Sequence, residues 1–228
     1  MKDLTDITII LDRSGSMSIV REDTIGGFNT FLDEQKKIEG DARISLYQFN
    51  HEFSTIYENK KLHEASNIGT KTYTPGGMTA LLDAIGKVIN KKGQYYKNLS
   101  EDERPDKILI TIMTDGQENS SKEFTKDKIK EMIEHQKNAY KWQFAFIGAA
   151  IDAFTDGGGL SINRGSTMKI KNLNDFNQGF VATSKATARF RAMGGQFAFE
   201  EGDSSDDSKV EYSTTASSKK AKSQTTSD

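Results

Sequence analysis

Apolar residues along the chain fall into two alternating patterns. Short, almost unbroken apolar runs rich in β-branched and aromatic residues are typical of strands buried on both faces. Such runs lie at 7–11, 43–49, 107–114, 142–148 and 167–170. Segments with apolar residues at helical spacing alternate with them. These segments lie at 23–37, 79–92, 126–138 and 175–191. The alternation predicts an α/β fold, a doubly wound and mostly parallel central sheet with helices on both faces.

One connection departs from the strand–helix order. The run at 43–49 is followed after only three residues by another β-rich run at 53–57. A gap of this length suits a hairpin rather than a helical crossover. We therefore expect one antiparallel strand at the edge of the sheet.

The composition changes near the C-terminus. From about Gly202 the chain consists largely of Asp, Ser, Thr and Lys and has almost no apolar residues. Such segments bury too little apolar surface to offset the entropy of folding. We therefore expect a folded domain over 1–195 and a disordered polar tail over 196–228. Separate acidic and basic clusters in the tail also allow a docking role.

Composition narrows the functional classes. A length of 228 residues suits one domain, and 31 Lys and Arg against 33 Asp and Glu give a net charge of −2. This balance provides no general attraction to nucleic acid or an anionic membrane. The sequence has no cysteine, which excludes disulfides and thiolate metal sites and suits a reducing compartment. No run approaches the roughly 18 apolar residues of a membrane-spanning helix. The apolar run at 7–11 is too short for a signal sequence, so we expect no export by the general route. We expect a soluble, cytoplasmic monomer.

Oxygen-bearing side chains follow the first predicted strand. Asp12 ends that strand, and Ser14 and Ser16 follow at alternate positions with Gly15 between them. Open α/β sheets bind ligands beyond the carboxyl ends of their strands. Carboxylate and hydroxyl oxygens are hard ligands that suit Mg²⁺ or Mn²⁺. The pattern therefore favours a divalent-cation site.

These residues resemble a known motif. Asp12, Ser14 and Ser16 are similar to the Asp-x-Ser-x-Ser element of the metal-ion-dependent adhesion site in von Willebrand factor A and integrin I domains. Thr79, in Gly-Met-Thr, resembles the Gly-x-Thr element of that family, and Asp115, in Thr-Asp-Gly, resembles its Thr-Asp-Gly element. The three elements occur in the family order, within a resemblance that covers about residues 6–190.

The resemblance implies a ligand set and a function. Ser14, Ser16 and Thr79 would offer hydroxyl oxygens, and Asp12 and Asp115 would offer carboxylates directly or through water. The cation would be Mg²⁺ or Mn²⁺, with Ca²⁺ as a further candidate. An Asp or Glu of a protein partner would complete the coordination, so the resemblance implies a binding module, not an enzyme. A weaker resemblance, of 146–154 and the following glycines, is to stand-alone A-domain proteins of bacteria and phages, including relatives of the tellurite-resistance type.

Two other interpretations stay open. In a metal-dependent hydrolase or phosphotransferase Asp12 would be the nucleophile, but Ser14 stands where a second acid is needed. In a metal-free structural module Asp12 would bind loop amides, Ser14 and Ser16 would be turn residues and Thr79 a helix cap.

The remaining polar residues give weaker signals. Arg13 is a candidate for steering an acidic partner or an ordinary solvated side chain, and Glu118 and Asn119 are candidates for the rim of the site or plain loop polarity. Three scattered histidines suggest no catalytic group. They are His51, His63 and His135. The glycine clusters match no phosphate-binding loop.

Overall fold

The computed structural model describes residues 3–149 and 159–212. Within these ranges the strands are β1 Thr5–Asp12, β2 Ala42–Phe49, β3 Phe53–Lys61, β4 Lys107–Thr114, β5 Gln143–Gly148, β6 Thr167–Ile170 and β7 Val210–Tyr212. They form a seven-stranded sheet in the order β3-β2-β1-β4-β5-β6-β7. The five inner strands are parallel, and β3 and β7 pair antiparallel at the two edges.

Helices cover both faces of this sheet. They are α1 Arg21–Lys36, α2 Leu81–Lys97, α3 Lys126–Tyr140 and α4 Phe176–Met193. Helices α1 and α4 pack with Ile7 and Ile9 of β1 in one apolar core. Helices α2 and α3 pack with Ile10 of β1 in the other. All eight residues of β1 are buried, as expected for a central strand covered on both sides.

This architecture confirms the predicted doubly wound α/β fold. The predicted elements are present, with ends that differ by a few residues. None of the helices in the described ranges has the length and apolar character needed to cross a membrane.

The C-terminal segment differs from the expectation. Phe197, Phe199 and Val210 are buried, and Val210 pairs with Ile170 of β6. We expected one antiparallel edge strand, and the sheet has two. The tail that we expected to be disordered is folded onto the domain over 196–212. This corrects the boundary at residue 195, because the apolar residues over 196–212 are too few to outweigh the polar composition of the segment. Residues 213–228 lie outside the described residues.

A buried ion pair joins α2 to the start of β1. Lys92 Nζ lies 2.7 Å from Asp6 Oδ1, and both side chains are fully buried. The ammonium also donates hydrogen bonds to Asn59 Oδ1 at 2.7 Å and Ser45 Oγ at 3.1 Å. Burial lowers the pKa of Lys92, and Asp6 opposes that shift. The pair lies at the opposite end of β1 from Asp12, far from the predicted site.

Candidate metal centre

The register of the sheet brings two acidic loops together. Strands β1 and β4 are parallel neighbours, with Leu11 opposite Met113. Asp12 at the end of β1 and Asp115 just after β4 therefore lie at the same edge. This is the carboxyl edge at which open α/β sheets bind ligands.

The loop before α2 forms the third side of the site. Gly15 N donates a hydrogen bond to Gly77 O at 2.9 Å, and Gly76 N donates one to Arg13 O at 2.8 Å. These bonds hold the loop that carries Thr79 alongside the loop that carries Ser14 and Ser16. Three segments remote in sequence thus supply one cluster of oxygen atoms.

Hydrogen bonds connect four of the five predicted ligands. Ser14 N donates to Asp12 Oδ1 at 2.6 Å. The hydroxyls of Ser14 and Ser16 lie 3.1 Å apart, and Ser16 Oγ donates to Asp115 Oδ1 at 2.8 Å. Residues predicted from two separate motifs are therefore in mutual contact.

Thr79 joins the same cluster, with its hydroxyl beside Gly116. A β-carbon placed on Gly116 would lie 3.1 Å from Thr79 Oγ1, 3.5 Å from Asp12 Oδ2 and 3.6 Å from Ser14 Oγ. Three oxygens thus face one small space that the absent side chain leaves open. The structure brings together all five residues that the sequence singled out.

Burial makes the two carboxylates unfavourable as free anions. Asp12 is fully buried, and burial raises its pKa to about 6 against hydrogen bonds from Thr114 and Ser14 that lower it. Burial also raises the pKa of Asp115, against the hydrogen bond from Ser16. A positive charge beside them would stabilise their ionised forms.

The residues present fit a small hard cation. Asp115 Oδ2 is buried and has no hydrogen-bond partner, although buried carboxylate oxygens are normally paired. Within the described ranges no three His, Cys, Asp or Glu side chains form a metal-binding group. Hydroxyl oxygens would therefore supply most of the ligands to a cation. Two carboxylates and three hydroxyls suit Mg²⁺ or Mn²⁺, which prefer six oxygen ligands.

The loop after β4 also positions Thr79. Asn119 Oδ1 accepts a hydrogen bond from Thr79 N at 2.8 Å, and Asn119 N donates one to Thr79 O at 3.0 Å. Glu118 accepts from Leu82 N at 2.9 Å and from Ser121 N at 2.7 Å. Both residues were candidates for the rim, and the structure uses them to fix the loop of Asp115 against the start of α2.

Two further residues support the site without a signal in the sequence. The buried hydroxyl of Tyr73 donates to Asp12 O at 2.7 Å. Asp83 accepts hydrogen bonds at 2.9 Å from the amides of residues 122, 123 and 124. Both contacts join residues about 40 or more positions apart, which periodicity and local motifs do not reveal.

Arg13 does not point freely from the loop. Its Nη2 donates to Glu52 Oε2 and to Ser54 Oγ, both at 3.3 Å. The guanidinium is therefore partly neutralised against β3. The structure favours this local role over the steering of a partner.

Comparisons with known proteins support the fold. No protein-family model matches the chain, and no curated protein matches its sequence. The von Willebrand factor type A structure from Catenulispora acidiphila has a TM-score of 0.56 and 12% identity, covering 82% of this chain and 43% of that one. Proximal thread matrix protein 1 from the mussel byssus has a TM-score of 0.53 and 14% identity, covering 81% and 46%.

These likenesses identify the architecture as that of a von Willebrand factor A domain. The chain spans less than half the length of either protein. At such low identity the comparison shows the fold alone. What the chain binds must therefore be argued from its own residues.

Proposed function

We propose that this chain is a member of the von Willebrand factor A family that binds a protein partner through one divalent cation. Asp12, Ser14, Ser16, Thr79 and Asp115 would hold Mg²⁺ or Mn²⁺, with Ca²⁺ as a further candidate. The buried, unpartnered Oδ2 of Asp115 within this cluster of oxygens carries the proposal. A cation is the group that satisfies this atom and stabilises both carboxylates together.

The arrangement suits capture of a carboxylate. Five protein groups leave at least one of six coordination positions free. A bound dication would supply a Lewis-acidic position for an Asp or Glu of the partner. Ser16 is exposed while Asp12 and Ser14 are buried, so a partner can approach from the side of Ser16.

The geometry favours binding over catalysis by Asp12. Asp12 Oδ1 accepts a hydrogen bond from Ser14 N, and Oδ2 accepts one from the hydroxyl of Thr114. The carboxylate is also fully buried. A nucleophile must come within bonding distance of the substrate, and burial keeps a substrate away from Asp12, so we propose a binding module and not an enzyme.

The site's surroundings favour a protein partner. Arg13 is the only basic residue between Asp12 and Ser16, and it pairs with Glu52. Phosphate backbones are bound mainly by exposed Arg and Lys, which the segments 12–19 and 73–80 do not supply. We propose an adaptor role in a bacterial or phage-infected cytoplasm, for which the lack of cysteine is suitable.

Titration calorimetry with Mg²⁺ and Mn²⁺ on chelator-stripped protein tests the cation site. We expect saturable one-site binding that weakens at least tenfold in Asp115→Asn, which keeps the shape of the side chain and removes its charge. Asp33→Asn removes an exposed charge from α1 and should bind as the wild type does. Equal affinity in Asp115→Asn, or no binding to the wild type, would contradict the proposal.

A further inference from the structure

The rim of the candidate site carries two exposed aliphatic side chains. Ile19 is 72% exposed and Met78 is 56% exposed. Ile19 follows the short 3-10 turn Gly15–Ser18, and Met78 directly precedes Thr79. Each lies within three residues of a proposed cation ligand.

The two side chains belong to one continuous rim. The hydrogen bonds between Gly15 and Gly77 and between Gly76 and Arg13 hold their loops side by side. Gly15, Ser16 and Gly77 are exposed between them. A partner that approaches past the exposed Ser16 therefore meets the two loops that carry Ile19 and Met78.

The two loops that carry Ile19 and Met78 have almost no exposed charge of their own. Over 12–19 and 73–80 the only charged residues are Asp12 and Arg13. Asp12 is buried, and the Arg13 side chain is 16% exposed and paired with Glu52. A polyacidic segment or a phosphate would need basic side chains around the cation. One carboxylate surrounded by apolar groups complements this rim better.

We infer that the partner presents a protein loop with a single Asp or Glu beside an aliphatic or aromatic residue. The inference rests on the proposed function, because the carboxylate is the group that reaches the cation. The neighbouring apolar side chain covers Ile19 and Met78 and removes their surface from water. Apolar burial then adds to affinity, and the lack of exposed charge on these two loops disfavours ligands with several charges.

The chain offers a matched control for this surface. The other large hydrophobic side chains exposed in the described ranges are Tyr140 and Met193. Tyr140 ends α3 just before β5. Gly194, beside Met193, lies against Lys107 at the start of β4. Both therefore lie at the opposite edge of the sheet.

Selection of random cyclic peptides displayed on phage tests the inference. The full chain is the target in millimolar Mg²⁺, and EDTA elutes the bound phage. We expect enriched sequences with one acidic residue next to an apolar one. A synthetic copy of an enriched peptide should bind the Ile19→Ser/Met78→Ser variant about tenfold or more weakly, and the Tyr140→Ser/Met193→Ser variant with wild-type affinity. Calorimetry should give both variants the wild-type affinity for Mg²⁺.

The outcomes separate the two proposals. EDTA-eluted peptides without apolar neighbours, or with equal affinity for both double variants, would overturn the inference and leave the cation-dependent function standing. Failure to enrich any EDTA-eluted peptide on a target that binds Mg²⁺ would overturn both, because no carboxylate then docks on the cation. Binding that survives replacement of the peptide's acid by its amide would do the same.

Discussion

The hydroxyl of Ser16 donates a hydrogen bond to Asp115 Oδ1 at 2.8 Å, across 99 positions of sequence. This contact joins the loop after β1 to the loop after β4. The other oxygen of the same carboxylate is buried and unpartnered. One residue thus closes the cluster on one side and leaves an unsatisfied ligand atom on the other.

Gly116→Ala tests whether the space above Gly116 holds the cation. The added methyl group would lie 3.1 Å from Thr79 Oγ1 and occupy the space that three oxygens face. We expect calorimetry to show loss of Mg²⁺ binding, with a melting temperature close to that of the wild type. In the matched variant Gly93→Ala the β-carbon meets nothing within 4 Å, so cation binding should persist. Because Ala favours a helix more than Gly does, the free energy of unfolding should rise by up to about 1 kcal/mol. Normal Mg²⁺ affinity in Gly116→Ala would place the cation elsewhere.

Asn119→Ala tests whether that side chain positions Thr79. The substitution removes the acceptor of the Thr79 amide, and loss of such supporting contacts commonly weakens metal binding about 10- to 100-fold. We expect a decrease of at least about tenfold in Mn²⁺ affinity, largely restored in Asn119→Asp, which keeps the acceptor. Asn90→Ala, an exposed change on α2, is the control. A fall in melting temperature with unchanged affinity would indicate a purely structural role.

The raised pKa of Asp12 predicts an unusual dependence of stability on pH. Its pKa rises from 3.8 to about 6 on folding, so the folded state binds this proton more tightly than the unfolded state does. The contribution to stability is fully present below pH 3.8 and is lost as the pH rises through about 6. In EDTA, the free energy of unfolding of Asp12→Asn, relative to that of the wild type, should therefore rise by about 2 kcal/mol between pH 4.5 and 7.5. Urea unfolding at both pH values measures this difference, and a pH-independent difference would contradict the shift.

Lys92→Met tests the separation of fold stability from the site. The substitution leaves Asp6 buried without its cation, and breaking a buried pair in this way costs about 3 to 5 kcal/mol. We expect a large fall in the free energy of unfolding by urea. The folded variant should bind Mg²⁺ normally, because the pair lies at the far end of β1. Lys91→Met, which removes only a partly exposed pair with Glu58 at 3.5 Å, should change stability by less than about 1 kcal/mol.

Sequence patterns predicted the architecture because each strand and helix leaves a periodic signal of its own. They also indicated five candidate ligands that the structure brings together. This was possible because neighbouring parallel strands end at the same edge of the sheet, so acids and hydroxyls that follow them lie close together. Cation binding by those residues stays a prediction. The roles of Tyr73 and Asp83 were missed because they depend on contacts between remote segments. Strand β7 was missed because Val210 is an isolated apolar residue in a polar sequence.

The assembly of the cluster from three loops has a consequence for synthesis of the chain on the ribosome. Asp12, Ser14 and Ser16 are made early, whereas Asp115 and Asn119 follow about a hundred residues later. Pairing of β1 with β4 must also close before the oxygens meet. A nascent chain that has completed only β1, β2 and β3 therefore cannot bind a cation that needs all five groups. The chain becomes able to bind the cation only after β4 has been made and paired.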